Sequence, residues 1–156
     1  MIDPTVRRAG LGDVGPLRVL EAEARAALVG ARGGDRWLDE HPPVGEAWSD
    51  AVATRRVFVA VLDVGPNGPL DVGYLVLDVD GAVARVDQVY VTPDARELGF
   101  GDALVEAATA AALEAGAQLL EGEALPGDRQ TKNLYERAGI TARLITVSRR
   151  IDRRDT

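Results

Sequence analysis

The stretch from Asp87 to Asp102 constrains the fold more than any other part of the chain. A strand runs into Thr92-Pro93, passes through Arg96-Glu97-Leu98-Gly99-Phe100-Gly101 and continues at once as a helix. Pro93 stops the strand because it has no amide to extend a ladder. From 101 to 115 the residues Leu104, Ala107, Ala108, Ala111, Ala112 and Ala115 form one apolar stripe, and alanine lets such a helix lie close against a sheet. Gly116 ends it as a C-cap. A strand, a glycine loop and a helix in this order require a sheet to pack on.

The surrounding sequence supplies that sheet. Residues 57–63 are almost wholly apolar, 65–69 read Gly-Pro-Asn-Gly-Pro, and residues 72–80 and 84–92 resume the strand pattern, which predicts a run of antiparallel strands joined by tight turns. Upstream, residues 6–9 suit a short strand. Asp13 is placed to cap a helix with Pro16 in its first turn, reaching about residue 28. Residues 30–45, with four glycines and two prolines, read as a long loop, and residues 46–54 as a short helix. Downstream, 119–125 reads as a strand, Asp128 caps a last helix stopped by Gly139, 140–151 reads as a long strand, and 152–156 as a polar tail. The expectation is a single α/β (α+β) domain over residues 1–156. Its mixed, mostly antiparallel sheet of about six strands carries helices on both faces.

Composition removes whole classes of chemistry. At 156 residues the chain has the size of one domain, able to bury roughly 70% of its unfolded surface. It has no cysteine, which excludes disulfides, thiolate metal sites and a cysteine nucleophile. With one histidine, His41, and serine only at Ser49 and Ser148, a histidine-pair metal site is excluded and a serine triad has little material. No metal is expected. A net charge of −7 argues against a nucleic-acid partner, which usually meets a basic face. No apolar run approaches the ~18 residues of a membrane span, and residues 1–4 lack an apolar signal region, so a cytoplasmic location is expected.

What remains is carboxylates, tyrosine and backbone amides. The 96–101 loop presents successive N–H groups where a helix begins, so the orphan amides and the dipole of that helix form an anion site to which Arg96 adds charge. Glycines at 99 and 101 let a phosphate approach the backbone. No Gly-Lys-Ser/Thr follows, and position 104 is Leu104 rather than the third glycine of a dinucleotide fingerprint. A phosphate or pyrophosphate ligand of another kind is indicated.

Taken together, Val89-Tyr90-Val91-Thr92-Pro93, then Arg96-x-x-Gly99-x-Gly101 with its alanine-rich helix, and Asn133-Leu134-Tyr135-Glu136-Arg137-Ala138-Gly139-Ile140 downstream resemble the GNAT superfamily of acyl-CoA-dependent N-acyltransferases. The resemblance covers about residues 57–148. It implies an enzyme that moves an acetyl group from acetyl-CoA to a primary amine, of a small molecule or a protein, by direct attack in a ternary complex. The alternative is an acyl-CoA-binding regulatory module of the same fold without turnover. By the same resemblance, the backbone of Val89, Tyr90 and Val91 would pair with the pantetheine arm. The amides of Arg96, Glu97, Leu98, Gly99, Phe100, Gly101 and Asp102 would hold the pyrophosphate. Tyr135 would be the general acid, and Glu123 or Asp87 the general base. Asp128 stands where many relatives carry an asparagine that contacts the cofactor. Residues 30–48 would wall the acceptor pocket, with Trp37, Asp39, Glu40, His41 and Trp48 as candidate lining. Strand alternation puts Asp87, Val89 and Val91 on one face. A homodimer through the long last strand is a further expectation.

Overall fold

The computed structural model describes residues 3–63 and 65–151. Its sheet has five strands in the order β1-β2-β3-β4-β5: β1 (Thr5–Arg8), β2 (Arg56–Leu62), β3 (Leu70–Asp80), β4 (Val83–Val91) and β5 (Leu119–Gly122). The first three pairings are antiparallel, and β4–β5 is parallel. A parallel neighbour needs a crossover, and α4 (Phe100–Glu114) supplies it. The other helices are α1 (Val14–Ala26), α2 (Gly34–Glu40), α3 (Trp48–Thr54) and α5 (Arg129–Arg137).

Period-two alternation sorts the strands onto two cores. Val57, Val59 and Val61 of β2, with Tyr74 and Val76 of β3, pack against Leu17, Leu20, Trp48 and Ala51 of α1 and α3. Phe58 and Ala60, with Leu75 and Leu77, face the other way onto Phe100, Leu104, Val105, Ala108 and Ala112 of α4 and Leu134 of α5. The alanines on the α4 stripe are what let that helix reach the sheet.

Three expectations are corrected. Residues 140–151 do not form a sixth strand: residues 141–151 carry no regular structure and are exposed throughout. Strand composition makes a strand only where the segment meets a ladder, and residues 141–151 pair with none of the described strands. Residues 30–45 are not a loop throughout, because α2 lies within them. Gly33, at φ 80°, turns the chain into α2, and a Cβ on Gly34 would fall 2.0 Å from the Leu28 carbonyl oxygen; the glycines that suggested a loop are the entry to a helix. Third, β5 stops at Gly122 rather than residue 125.

Asp13 does precede α1, but its side chain makes no cap hydrogen bond. Instead the Arg7 guanidinium donates to both its oxygens, at 2.7 and 2.8 Å, and the Gly10 amide donates to it at 2.7 Å. Asp71 at the start of β3 belongs to the same cluster, 3.7 Å from Arg7; its side chain is 8% exposed, and its Oδ2 has no partner among the described residues. Arg7 holds Asp13 well below the usual carboxylate range. Burial and then the Asp13 carboxylate push Asp71 up to about 7. The pair therefore keeps one proton near neutrality. A raised folded pKa favours the folded state below the unfolded value and loses that advantage as pH climbs through the folded one. Wild-type stability should fall by up to about 4 kcal/mol between pH 4 and 9, and Asp71→Asn should flatten that slope; denaturant melts across the range measure both.

Candidate functional site

The parallel ladder between β4 and β5 is four residues long, from Val83 against Leu119 to Val86 against Gly122. There the strands part. Opposite β3, Val76 pairs with Gln88 and Leu77 with Val86, so Asp87 is an extra residue in β4. Such a bulge bends its strand and increases the local twist, and it sits where β4 leaves β5. The bulge also breaks the expected alternation. Val89 and Val91 pack toward the α4 side, whereas Asp87 reaches Arg55 at the end of α3, 3.1 Å away.

A cavity of about 850 Å³ fills the opening, lined by residues 87–91 of β4, the start of α4, and the segment from Glu123 to Tyr135. Tyr135 leans across the gap over β5. A Cβ on Gly122 would lie 2.5 Å from its ring and hydroxyl, so only glycine lets the tyrosine lie there. Val89, Tyr90, Val91, Arg96, Glu97, Gly99, Gly101, Asp102, Asp128, Glu123, Asp87 and Tyr135 all border this one cavity.

The mouth of α4 is built to leave donors free. Glu97 adopts φ 65° and Gly99 φ 91°, left-handed positions on either side of Leu98. For glutamate that conformation is strained. Among the described residues no backbone hydrogen bond leaves the amides of residues 97–102, and the first helical bond is Ala103 to Gly99. Of these six residues Glu97, Gly99, Gly101 and Asp102 border the cavity, whereas Leu98 and Phe100, both expected at the ligand, do not; the free amides and the helix dipole present positive potential there. A Cβ on Gly101 would sit 3.2 Å from Leu134, so the backbone there is bare and close-packed behind. Arg96 is only half available: its Nε donates to the Val91 carbonyl at 3.0 Å and its guanidinium lies over the Tyr90 ring. Asp102 is held by Arg137 at 3.1 Å. Both oxygens of Asp128 accept from Thr131, at 3.2 and 2.7 Å, so its side chain caps α5.

Burial, followed by the fields of Asp128, Glu123 and Asp87, pushes the Tyr135 phenol well above its ordinary value. It therefore holds its proton further into the alkaline range than an exposed phenol does. Its hydroxyl has no hydrogen-bond partner among the described residues. Glu123 is likewise without a side-chain partner there, while Asp87 shares Arg55 with Asp78.

At the far end the cavity meets a second recess of about 310 Å³, bordered by Trp37, Glu40, His41, Arg55, Asp87 and Gln88. Trp37 and His41 stack, with centroids 4.4 Å apart. Of the expected lining, Trp48 is wholly buried in the α1–α3 core and Asp39 does not border either recess.

The residues that shape this end were not singled out from the sequence. Glu21 is 2% exposed. It accepts from the amides of Val44 and Gly45, from Trp48 Nε1 at 3.2 Å and from Gln88 Nε2 at 3.0 Å. Gln88 Oε1 in turn accepts from the Tyr74 hydroxyl at 2.6 Å. A signal existed: Leu17, Leu20 and Glu21 fall at i, i+3 and i+4 on the buried face of α1, and an acid there needs partners. Among the described residues no cluster of side chains is arranged to hold a metal ion, and no helix is long and apolar enough to cross a membrane.

Residues 53–139 match the family model described as acetyltransferase (GNAT) domain. No curated protein matches the sequence. The structure resembles a ribosomal-protein-alanine N-acetyltransferase from Brucella melitensis biovar Abortus 2308, at 19% identity over 97% of this chain and 100% of that one, TM-score 0.67. It also resembles AAC(6')-Iy in complex with the bisubstrate analog CoA-S-monomethyl-acetylneamine (18% identity, 96% and 99% covered, TM-score 0.61). A transcriptional regulator from Bacillus halodurans is similar too, at 20% identity over 96% and 100%, TM-score 0.66. At these identities the likeness shows the fold.

The Gly122–Tyr135 contact is open to a direct check. Gly122→Ala should lower stability by about 1–3 kcal/mol through overpacking. In a Tyr135→Ala background most of that loss should vanish, a non-additivity that a double-mutant cycle of denaturant melts reads directly.

Proposed function

The chain belongs to the acetyltransferase (GNAT) family, and on that premise we propose that it is an N-acyltransferase, transferring an acetyl group from acetyl-CoA to a primary amine within a ternary complex. The observation that carries the reading is the row of unpaired amides at residues 97–102, of which Glu97, Gly99, Gly101 and Asp102 border the same cavity as Tyr135. These residues fit a pyrophosphate: bare backbone at Gly99 and Gly101 and a helix dipole behind. The backbone of Val89, Tyr90 and Val91 would hold the pantetheine arm along the side of β4 that β5 leaves free. Bound acetyl-CoA supplies an activated acyl thioester.

The remaining chemistry falls to the chain. An amine at neutral pH is mostly ammonium and must lose a proton before it attacks. Glu123, unpaired and facing the cavity, is the proposed base; Asp87, tied to Arg55, is placed to orient the acceptor. A second proton leaves the nitrogen as the C–N bond forms, one proton goes to the departing thiolate, and one is released to solvent, so the charges balance. An amide near Val89 would polarise the carbonyl. Tyr135 is the proposed donor to the thiolate. The raised phenol is a weaker acid than a thiol of ordinary pKa, ~8.5, so donation to the thiolate runs uphill in the empty site, and the role requires the bound substrates to strengthen the phenol as an acid. With no cysteine in the chain, direct attack is favoured over an acyl-enzyme.

Calorimetric titration with acetyl-CoA should give micromolar binding, about −8 kcal/mol, that collapses in Gly101→Leu. No binding to the wild type would sink the reading, and tight binding without thiol release over a broad amine panel would make the chain an acyl-CoA-binding module instead. Tyr135→Phe should lower kcat on the order of 10²-fold with little loss of acetyl-CoA affinity. Because the phenol stays protonated, the wild-type pH–rate profile should show no alkaline decline due to Tyr135 up to pH ~10. Glu123→Gln should lower kcat with acetyl-CoA affinity kept; if Asp87→Asn does so instead and Glu123→Gln does not, the base is Asp87.

A further inference from the structure

The cavity lies inside a closed circuit of contacts. β4 pairs with β5 as far as Val86 against Gly122. Beyond β5 the chain turns at residues 125–128, where the Asp128 amide donates to the Leu125 carbonyl at 2.9 Å. That turn touches the connection between α1 and α2. A Cβ on Gly127 would lie 2.6 Å from the Arg32 backbone nitrogen and 3.0 Å from the Ala31 Cβ. One on Gly33 would lie 3.5 Å from Leu125. From there α1 leads back to β4, where the Tyr90 hydroxyl donates to Glu23 and Gln88 Nε2 to Glu21, both at 3.0 Å. Leu28 and Trp37 on one side of the crossing, and Leu125 and Gly127 on the other, border the same cavity. The two loops therefore meet across it.

The links of this ring differ in kind. The β4–β5 link is a ladder, and the β4–α1 link rests on side-chain hydrogen bonds, one of them to the buried Glu21. The link between the loops has neither. Among the described residues no hydrogen bond or ion pair joins residues 28–35 to residues 123–128. Each loop is braced from within instead: the Gly30 amide donates to Asp35, the Gly34 amide to the Ala31 carbonyl, and Asp128 to Leu125. Packing alone closes the ring at this point. It closes tightly because Gly127 has no side chain to hold the loops apart. Gly127 is exposed and is not among the left-handed glycines, so its own turn does not demand glycine. The close approach of the other loop does.

A closed ring admits a ligand lengthwise and obstructs one that branches. We infer that residues 31–33 and 125–127 form a seam that sets the bore of the acceptor passage, with Gly127 as a specificity-determining residue. The acceptor is a primary amine at the tip of an unbranched aliphatic chain, passed end-on through the ring. This rests on the acyltransferase reading, since it concerns which amine reaches the thioester. An amine on a ring or a branched carbon presents side groups to both loops and must part them to pass.

Hexylamine and cyclohexylamine, primary amines with the same number of carbons, separate the two cases. With acetyl-CoA, the wild type should favour hexylamine by about tenfold or more in kcat/KM. Gly127→Leu drives a wedge between the loops and should lower that preference about fivefold, with circular dichroism native and acetyl-CoA affinity kept. Ala31→Leu drives the same wedge from the opposite loop and should act alike, so the outcome does not hang on the folding of one variant. Equal use of both amines by the wild type, or a preference that survives both wedges, would overturn the inference. Calorimetric titration of the CoA complex, which has no acetyl group to give, reads amine binding without turnover. Selective binding of hexylamine there, with no transfer from acetyl-CoA, would sink the acyltransferase reading and leave the seam standing. Transfer without selectivity would do the reverse, and neither binding nor transfer of either amine would overturn both.

Discussion

Much of this molecule follows from a ladder that is too short. β4 and β5 run parallel for four residues and then separate, because Asp87 intrudes into β4 and because Gly122, where the ladder ends, leaves its space to Tyr135. Had the pairing continued, β4 would have no free backbone along residues 87–91, and α4 would begin against a closed sheet. Since it stops, one side of a central strand lies open in the middle of the fold. Buried backbone amides without partners are costly, and a cleft that reaches solvent or a ligand is what makes their persistence tolerable. The glycine loop and the tyrosine helix are the two walls of that gap.

The wall nearest α1 is held by a different device. Glu21 gathers two backbone amides, an indole and a glutamine, and through Gln88 it reaches Tyr74. One buried carboxylate thus fixes α1, the turn before α3 and β4 in mutual register. A carboxylate so placed is satisfied by four donors, and the loss of any one leaves charge without compensation. The second recess owes its shape to this network, since Gln88 borders both cavities.

What could be read from sequence was local and strongly punctuated. Pro93, the glycines at 99 and 101, the alanine stripe of α4 and the stops at Gly116 and Gly139 each impose a backbone conformation with few alternatives, and all appear where expected. Even Asp128, offered both as a cap and as a cofactor contact, shows the cap bonds that its spacing to Thr131 allows. What was not legible depended on partners distant in sequence. The bulge at Asp87 exists only in the register of β4 against β3. Trp48 looked like pocket lining because a tryptophan near a loop has no intrinsic address; its burial follows from Tyr74, edge-on at 5.7 Å, and from Glu21. Residues 140–151 have strand composition, but a strand is a property of two segments. The glycine-rich entry of α2 hid a helix because glycine signals a turn whether the next element is a loop or not.

The two tryptophans occupy opposite optical environments. Trp48 is sealed in the core, while Trp37 lies stacked on the single histidine at the border of both cavities. Emission from one should follow only the integrity of the core; emission from the other should respond to whatever enters the cleft and to the imidazole against its face. The protein therefore carries its own pair of fluorophores, one for foldedness and one for occupancy, and either can be silenced by a single replacement without an external dye.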